Sequence, residues 1–151
     1  MALRVLIVDD LHAMREEFGS ICRAFIPDVK IEEAENVMQA MDLLQKQAAP
    51  YDAIFTDINM PGISGLKLIT QARELPAYKR VPLIVISTLA GRQDVERAMQ
   101  LGANGYLIRP LQKDDFEIVH TAYLLPILQK KRSGVHQAPD DVLKSLRKML
   151  K

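Results

Sequence analysis

Tyr51 to Gly65 reads YDAIFTDINMPGISG, and this stretch decides the fold. Tyr51 to Asp57 is a short run rich in aromatic and β-branched residues, which marks a strand, and it ends in a carboxylate. Pro61, Gly62 and Gly65 follow as turn residues. Leu66, Ile69 and Ala72 then recur at helical spacing until Pro76 stops the pattern. A strand, a loop and a helix in that order form the repeating half of a βαβ unit, so the same sequence of signals is sought on either side.

It recurs in both directions. Leu3 to Val8, LRVLIV, is nearly all apolar, as a strand covered on both faces should be. Leu11, Met14, Phe18, Ile21, Cys22 and Phe25 follow it as one helix face, broken by Pro27 and Asp28. Val29 to Ala34 is a second, more polar strand suited to a sheet edge, and Val37, Ala40, Met41, Leu44 and Ala48 form a second helix stripe that ends near Pro50. Downstream, Val81 to Ser87 is a fourth strand, with Pro82 tolerable only near its start. Val95, Ala98 and Met99 mark the next helix, with Gly102 at its C-terminal cap. Asn104 to Arg109 is a fifth strand closed by Pro110, and a helix from about Lys113 carries Phe116, Val119 and Tyr123. Five strands alternating with five helices predict an α/β domain with a doubly wound parallel sheet and right-handed crossovers.

The domain is expected to span residues 1–125. Pro126 should stop or kink the last helix. Residues 126–151 then form a helical extension: a helix continuation, a linker in KKRSGVHQAP, and a short basic amphipathic helix. That last helix is capped by Asp140 or Asp141 and striped by Val142, Leu143, Leu146, Met149 and Leu150.

Composition narrows the class. With 48% hydrophobic and 26% charged residues the 151-residue chain is an ordinary globular protein. Its 20 basic and 19 acidic residues leave a net charge of +1, which argues against a body built for nucleic acid or an anionic membrane. Basic residues concentrate after residue 129, so the body itself is net acidic. Cys22 is the lone cysteine, so no internal disulfide forms, and three scattered histidines lack ligand spacing. No segment approaches the roughly 20 apolar residues of a membrane span, and MALRVLIVDD is no signal peptide. A cytoplasmic protein is expected.

Ligands of a doubly wound sheet bind beyond the carboxyl ends of its strands. Asp9 and Asp10 end strand 1, Asp57 ends strand 3, Ser87 and Thr88 end strand 4, and Arg109 ends strand 5. Taken singly these are ordinary: an acidic pair caps helices, an Asp before Pro-Gly forms turns, and Tyr106 fills a half-buried strand. Their joint placement is specific. Crowded carboxylates repel one another, and a hard cation with oxygen ligands, such as Mg²⁺, relieves the repulsion. With Asp57 as nucleophile and Arg109 opposite, the edge is suited to accept a phosphoryl group.

The chain resembles the receiver domain of two-component response regulators, single-domain and chemotaxis-regulator-like. VLIVDD resembles the family's first strand and acidic pair, and IFTDINMPGISG its phosphoacceptor strand and loop. LIVISTLA is similar to the strand bearing the switch hydroxyl, and LGANGYLIRP to the segment where an aromatic precedes a Lys-Pro pair. The resemblance implies a flavodoxin-like sheet of order 2-1-3-4-5. It implies that Asp57 is phosphorylated, that Asp10 and Asp9 bind Mg²⁺, and that the Asn59 carbonyl is a further ligand. Ser87 becomes the switch hydroxyl and Tyr106 the aromatic that swings inward. The donor is a sensor histidine kinase or phosphotransfer protein, and the signal passes by protein contact through the helix 4, strand 5, helix 5 face or the terminal helix. Membranes and nucleic acid are not expected partners.

One departure stands out: Arg109 occupies the family's Lys position. A planar fork replaces a compact point charge, and slower or less persistent phosphorylation than in Arg109→Lys is expected. A pseudo-receiver scaffold that is not phosphorylated is therefore the alternative. An aspartyl-phosphate hydrolase would need an acid two residues after Asp57, where Asn59 stands. The expected protein is thus a signalling phosphoacceptor and not an enzyme acting on an external substrate.

Overall fold

The computed structural model describes residues 2–46 and 49–133. The chain runs β1 (Arg4–Val8), α1 (His12–Phe25), β2 (Lys30–Ala34), α2 (Val37–Lys46), β3 (Ala53–Thr56), α3 (Gly65–Glu74), β4 (Leu83–Ser87), α4 (Arg92–Leu101), β5 (Gly105–Ile108), α5 (Lys113–Val119) and α6 (Leu125–Ser133). All strands pair in parallel, in the order β2-β1-β3-β4-β5. The doubly wound α/β sheet of order 2-1-3-4-5 is thus present. Ala48, and the terminal helix expected from Asp140 onward, lie outside the described residues.

Strand alternation divides the core. Leu6, Val8, Ile54 and Val85 pack under α2, α3 and α4, against Val37, Leu68 and Ala98. Val5, Ile7, Phe55 and Ile86 pack on the other face, under α1 and α5. There Phe18, Phe55 and Phe116 form a ring cluster, with Phe18 and Phe55 centroids 4.6 Å apart. Each such buried side chain stabilises the fold by roughly 1.5–3 kcal/mol. Cys22 belongs to this core, and burial pushes its thiol pKa up to about 12. β2 lies at the edge and is mostly solvated, in keeping with its polar sequence.

Strands β3, β4 and β5 are shorter than their apolar runs. β3 stops at Thr56, but Asp57 still donates its N–H to Val8 O. β4 begins at Leu83, because Pro82 has no N–H for the ladder. Leu11, expected on the buried face of α1, is 54% exposed because it precedes the helix at its N-terminus. Gly102 caps α4 at φ 120, where only glycine is unstrained.

Pro126 does not end the last helix. Residues His120–Leu124 widen into a π-helical turn, and Leu125 donates its N–H to His120 O. The wider turn admits the proline ring, and the helix continues to Ser133. Lys130 to Ser133, the start of the expected linker, are therefore helical. Leu128 is buried, and Lys131 Nζ donates to Asp52 Oδ2 at 2.6 Å and to Ala2 O at 3.1 Å, which ties α6 to the base of the sheet.

Candidate phosphoacceptor site

The strand ends place Asp9, Asp10 and Asp57 together. One carboxylate oxygen from each lies within 4.8 Å of the others. They line a cleft of about 440 Å³ with Asn59, Thr88 and Arg109. Asp9 is the buried member and does not cap α1; its Oδ1 accepts the Leu11 N–H at 3.0 Å while Leu11 holds the cap position without a side-chain bond. Burial raises the Asp9 pKa, the Leu11 N–H and Arg109 pull it down, and Asp57 and Asp10 push it further up. A cation in the cleft would reverse that balance, and the donor set is all oxygen, so the trio fits a hard divalent ion.

Asp57 is held by backbone. Its Oδ1 accepts N–H groups from Ile58 at 2.7 Å and Asn59 at 3.3 Å. Among the described residues nothing donates to its Oδ2. The main chain beneath is clamped as well. Thr56 Oγ1 donates to the Asp57 carbonyl at 2.8 Å, and Gly65 N–H to Ile58 O at 3.0 Å. A Cβ on Gly65 would sit 1.9 Å from that Asp57 carbonyl. Gly65, read from the sequence as a turn residue, is instead the first residue of α3, and Ser64 caps the helix by accepting the Leu66 N–H. Only a residue without Cβ lets α3 start this close to the Asp57 backbone.

Arg109 enters from the end of β5, its N–H donated to Ser87 O. Its side chain is 10% exposed. Nη2 donates to Asp9 Oδ2 at 3.3 Å, and Nη1 has no hydrogen-bond partner among the described residues. Buried donors are normally satisfied, so an orphaned guanidinium nitrogen beside three carboxylates marks a place where an oxyanion would be welcome.

Ser87 is fully buried at the end of β4, and its Oγ accepts the Leu89 N–H at 3.2 Å; Thr88, one residue on, is the hydroxyl that lines the cleft. Tyr106 donates its hydroxyl to Leu89 O at 2.6 Å. Burial raises its pKa, and a hydrogen bond with Ser87 partly offsets that. Ser87, Leu89 and Tyr106 therefore form one linked set behind the cleft.

Sequence reasoning missed two residues. Arg15 is buried in α1; it donates to Asp9 O at 2.8 Å and pairs with Glu33 at 3.0 Å, bracing the acidic loop from behind. Glu17 stands 3.6 Å from Arg109. No local signal marks Glu17; one helical turn beyond Met14, it lines the same cleft.

An acidic trio and a buried cation above a 2-1-3-4-5 sheet define a phosphoacceptor class of signalling domain. The response regulator receiver domain family matches residues 5–120, and the chain belongs to it. It is similar to the chemotaxis protein CheY-3 of Vibrio cholerae, with 32% identity over 108 residues that cover 72% of this chain and 81% of that one. It is 36% identical over 107 residues to the gliding motility regulatory protein of Myxococcus xanthus, covering 71% of this chain but only 13% of that longer protein. The fold is shared with the receiver domain of the Pseudomonas aeruginosa sensor histidine kinase PA1611, solved with magnesium in its active-site cleft, at TM-score 0.71 and 23% identity, covering 82% and 98% of the two chains. Receiver domains of this kind are signalling proteins that interact with histidine kinases and phosphotransfer proteins. No helix among the described residues is long and apolar enough to cross a membrane.

Proposed function

We infer that the chain accepts a phosphoryl group on Asp57 from the phosphohistidine of a sensor kinase or phosphotransfer protein. The observation that carries this reading is the pairing, in one cleft, of three carboxylates within 4.8 Å with an orphaned buried Arg109 nitrogen. Asp57 Oδ2 attacks phosphorus while the backbone holds Oδ1. The P–N bond breaks, its electron pair returns to the imidazole nitrogen, and an acyl phosphate remains on Asp57. Asp9, Asp10, Asp57 and the Asn59 backbone carbonyl would hold Mg²⁺, which would supply charge neutralisation for the transferred group. Arg109 Nη1 takes one phosphoryl oxygen.

Ser87 then donates its hydroxyl proton to a phosphoryl oxygen, and the turn of Oγ toward that group draws it away from the Leu89 N–H it accepts. That loosens the loop on which Tyr106 rests, because Tyr106 is anchored to the Leu89 carbonyl. The signal leaves through α4, β5 and α5, where Ile108 and Ile118 are exposed. In this reading residues 1–125 act as the receiver and 126–151 as its extension in the cytoplasm. Residues 126–133 already pack on the receiver through Leu128 and Lys131.

One observation favours a second reading, the pseudo-receiver scaffold: Arg109 already occupies Asp9 Oδ2, an oxygen the metal would use. Radiolabelling from a small acyl phosphate separates the two. The phosphoacceptor reading expects Mg²⁺-dependent label that is lost in Asp57→Asn and gained faster in Arg109→Lys. Wild-type protein that takes no label from the small donor or from a phosphohistidine protein is a scaffold.

A further inference from the structure

Arg109 reaches two carboxylates at once. Nη2 donates to Asp9 Oδ2 at 3.3 Å, and Nη1 lies 3.6 Å from Glu17 Oε1. The second contact is one of charge only, since 3.6 Å is too long for a hydrogen bond and Nη1 has no such partner among the described residues. Glu17 is half exposed, lies on α1 outside the acidic trio, and lines the same cleft.

This arrangement sets up a competition. Both oxygens of Asp9 already have protein donors: Leu11 N–H on Oδ1 at 3.0 Å and Arg109 on Oδ2 at 3.3 Å. Each oxygen keeps a second lone pair for a cation, but the positive charge of that cation would repel the Arg109 guanidinium paired with the same carboxylate. The Leu11 bond is shorter and built into the backbone, so the Arg109 bond yields. A guanidinium that is 10% exposed cannot be left without an anion, and Glu17 needs only to close from 3.6 Å to take it.

We propose that Glu17 is a positioning residue that receives the Arg109 guanidinium when Asp9 turns to a cation, and that holds it back from an incoming phosphoryl group. Lysine is a poorer match, because its three donors share one nitrogen, whereas Nη1 and Nη2 of arginine each face a different carboxylate. Glu17 is thus matched to the arginine at 109. The inference deepens the phosphoacceptor reading and rests on it.

The test is calorimetric titration of the full chain, first with Mg²⁺ alone and then with beryllium trifluoride, a tetrahedral phosphoryl mimic, at saturating Mg²⁺. Four proteins are compared: wild type, Glu17→Gln, Arg109→Lys and the double variant. Glutamine keeps the size and helix propensity of glutamate at a half-exposed site, so folding is preserved. Loss of a negative charge weakens any cation and strengthens any anion, so the decisive quantity is the coupling between the two positions. Glu17→Gln should weaken Mg²⁺ about threefold more with Arg109 present than with lysine there, and should strengthen the fluoride complex about threefold more. Equal effects of Glu17→Gln in the two backgrounds overturn the proposal. Mg²⁺ binding with the expected coupling but no fluoride uptake in any of the four sustains the Glu17 shift and overturns the phosphoacceptor reading. No Mg²⁺ binding in any variant overturns both.

Discussion

The two ends of the sheet treat charge in opposite ways. Near the amino ends of the strands two partly buried charges, Asp52 and Arg73, are fully matched. Asp52 accepts from the Arg4 N–H at 2.8 Å and from Lys131 Nζ at 2.6 Å. Arg73, at the end of α3, donates to the carbonyls of Tyr78, Val81 and Gly102 and to Asn104 Oδ1, all at 2.7–3.0 Å. At the carboxyl ends three carboxylates face one arginine that makes a single side-chain hydrogen bond, at 3.3 Å. A satisfied network stabilises a fold, whereas an unsatisfied one is kept for something that binds there. The basal edge therefore holds the receiver together, and the upper edge is held in a high-energy, ligand-ready state.

The largest expected effect tests the one place where the upper edge is rigid. Gly65→Ala puts a Cβ 1.9 Å from the Asp57 carbonyl, with backbone on both sides and no flexible side chain to give way. The expected loss is about 3 kcal/mol, read as a lower urea midpoint, with phosphoryl labelling of Asp57 lost in whatever folds. A normal midpoint with normal labelling would show that this edge is soft in its backbone as well as in its charges. Next in size is Arg73→Met, which strands the carbonyls of Tyr78, Val81 and Gly102 at the basal edge, while Asn104 Oδ1 keeps the Leu83 N–H. It should cost about 2–3 kcal/mol in the same measurement and leave Mg²⁺ binding unchanged. A change in Mg²⁺ affinity would break the division between the two edges.

Asp57→Asn should act in the opposite sense. It removes one of three crowded like charges while keeping the size and the acceptor for Ile58 N–H. In the absence of divalent cation it should raise stability by about 1 kcal/mol. That gain should shrink as Mg²⁺ is added, because the ion stabilises only the wild-type trio. If the variant is less stable without metal, the carboxylates are not in conflict and the contrast with the basal edge fails.

Much of this contrast was legible in the sequence, and the reason is local. β1, β3 and β5 end where an apolar run meets a charge, and β4 where it meets the hydroxyl pair Ser87 and Thr88, so Asp9, Asp57, Ser87 and Arg109 fall at one edge once the elements are read. The alternation of strands and helices forces them to the same side. What was not legible depends on approach between distant segments. Glu17 is one of two adjacent glutamates on α1, and only the packing of α1 beside α5 on one face of the sheet brings it to Arg109. Arg73 reads as a surface cation until the loops before β4 and β5 close over it. Gly65 was visible as a glycine, but its role follows from the close contact with Asp57 and not from a turn. Pro126 is expected to stop or kink the last helix, yet the helix runs through it to Ser133, and the π-turn that accommodates the ring leaves no local mark in the sequence.

The smallest expected effect is the pH response of Asp9. Its folded pKa lies above the unfolded value of 3.8, because burial and the neighbouring carboxylates outweigh the Leu11 and Arg109 contacts. Below 3.8 the group is protonated in both states and costs nothing. As the pH climbs from 3.8 through the raised folded value, the unfolded chain gives up its proton first and stability falls; above that value the cost is complete. Wild type should therefore lose stability relative to Asp9→Asn across that window and run parallel to it on either side, in urea titrations at stepped pH. The effect is small because two of the five influences on Asp9 oppose the other three. Saturating Mg²⁺ should flatten the step, since a bound cation favours the ionised carboxylate. A step of the opposite sign would mean that Arg109 alone already satisfies Asp9, and the upper edge would then be as settled as the lower one.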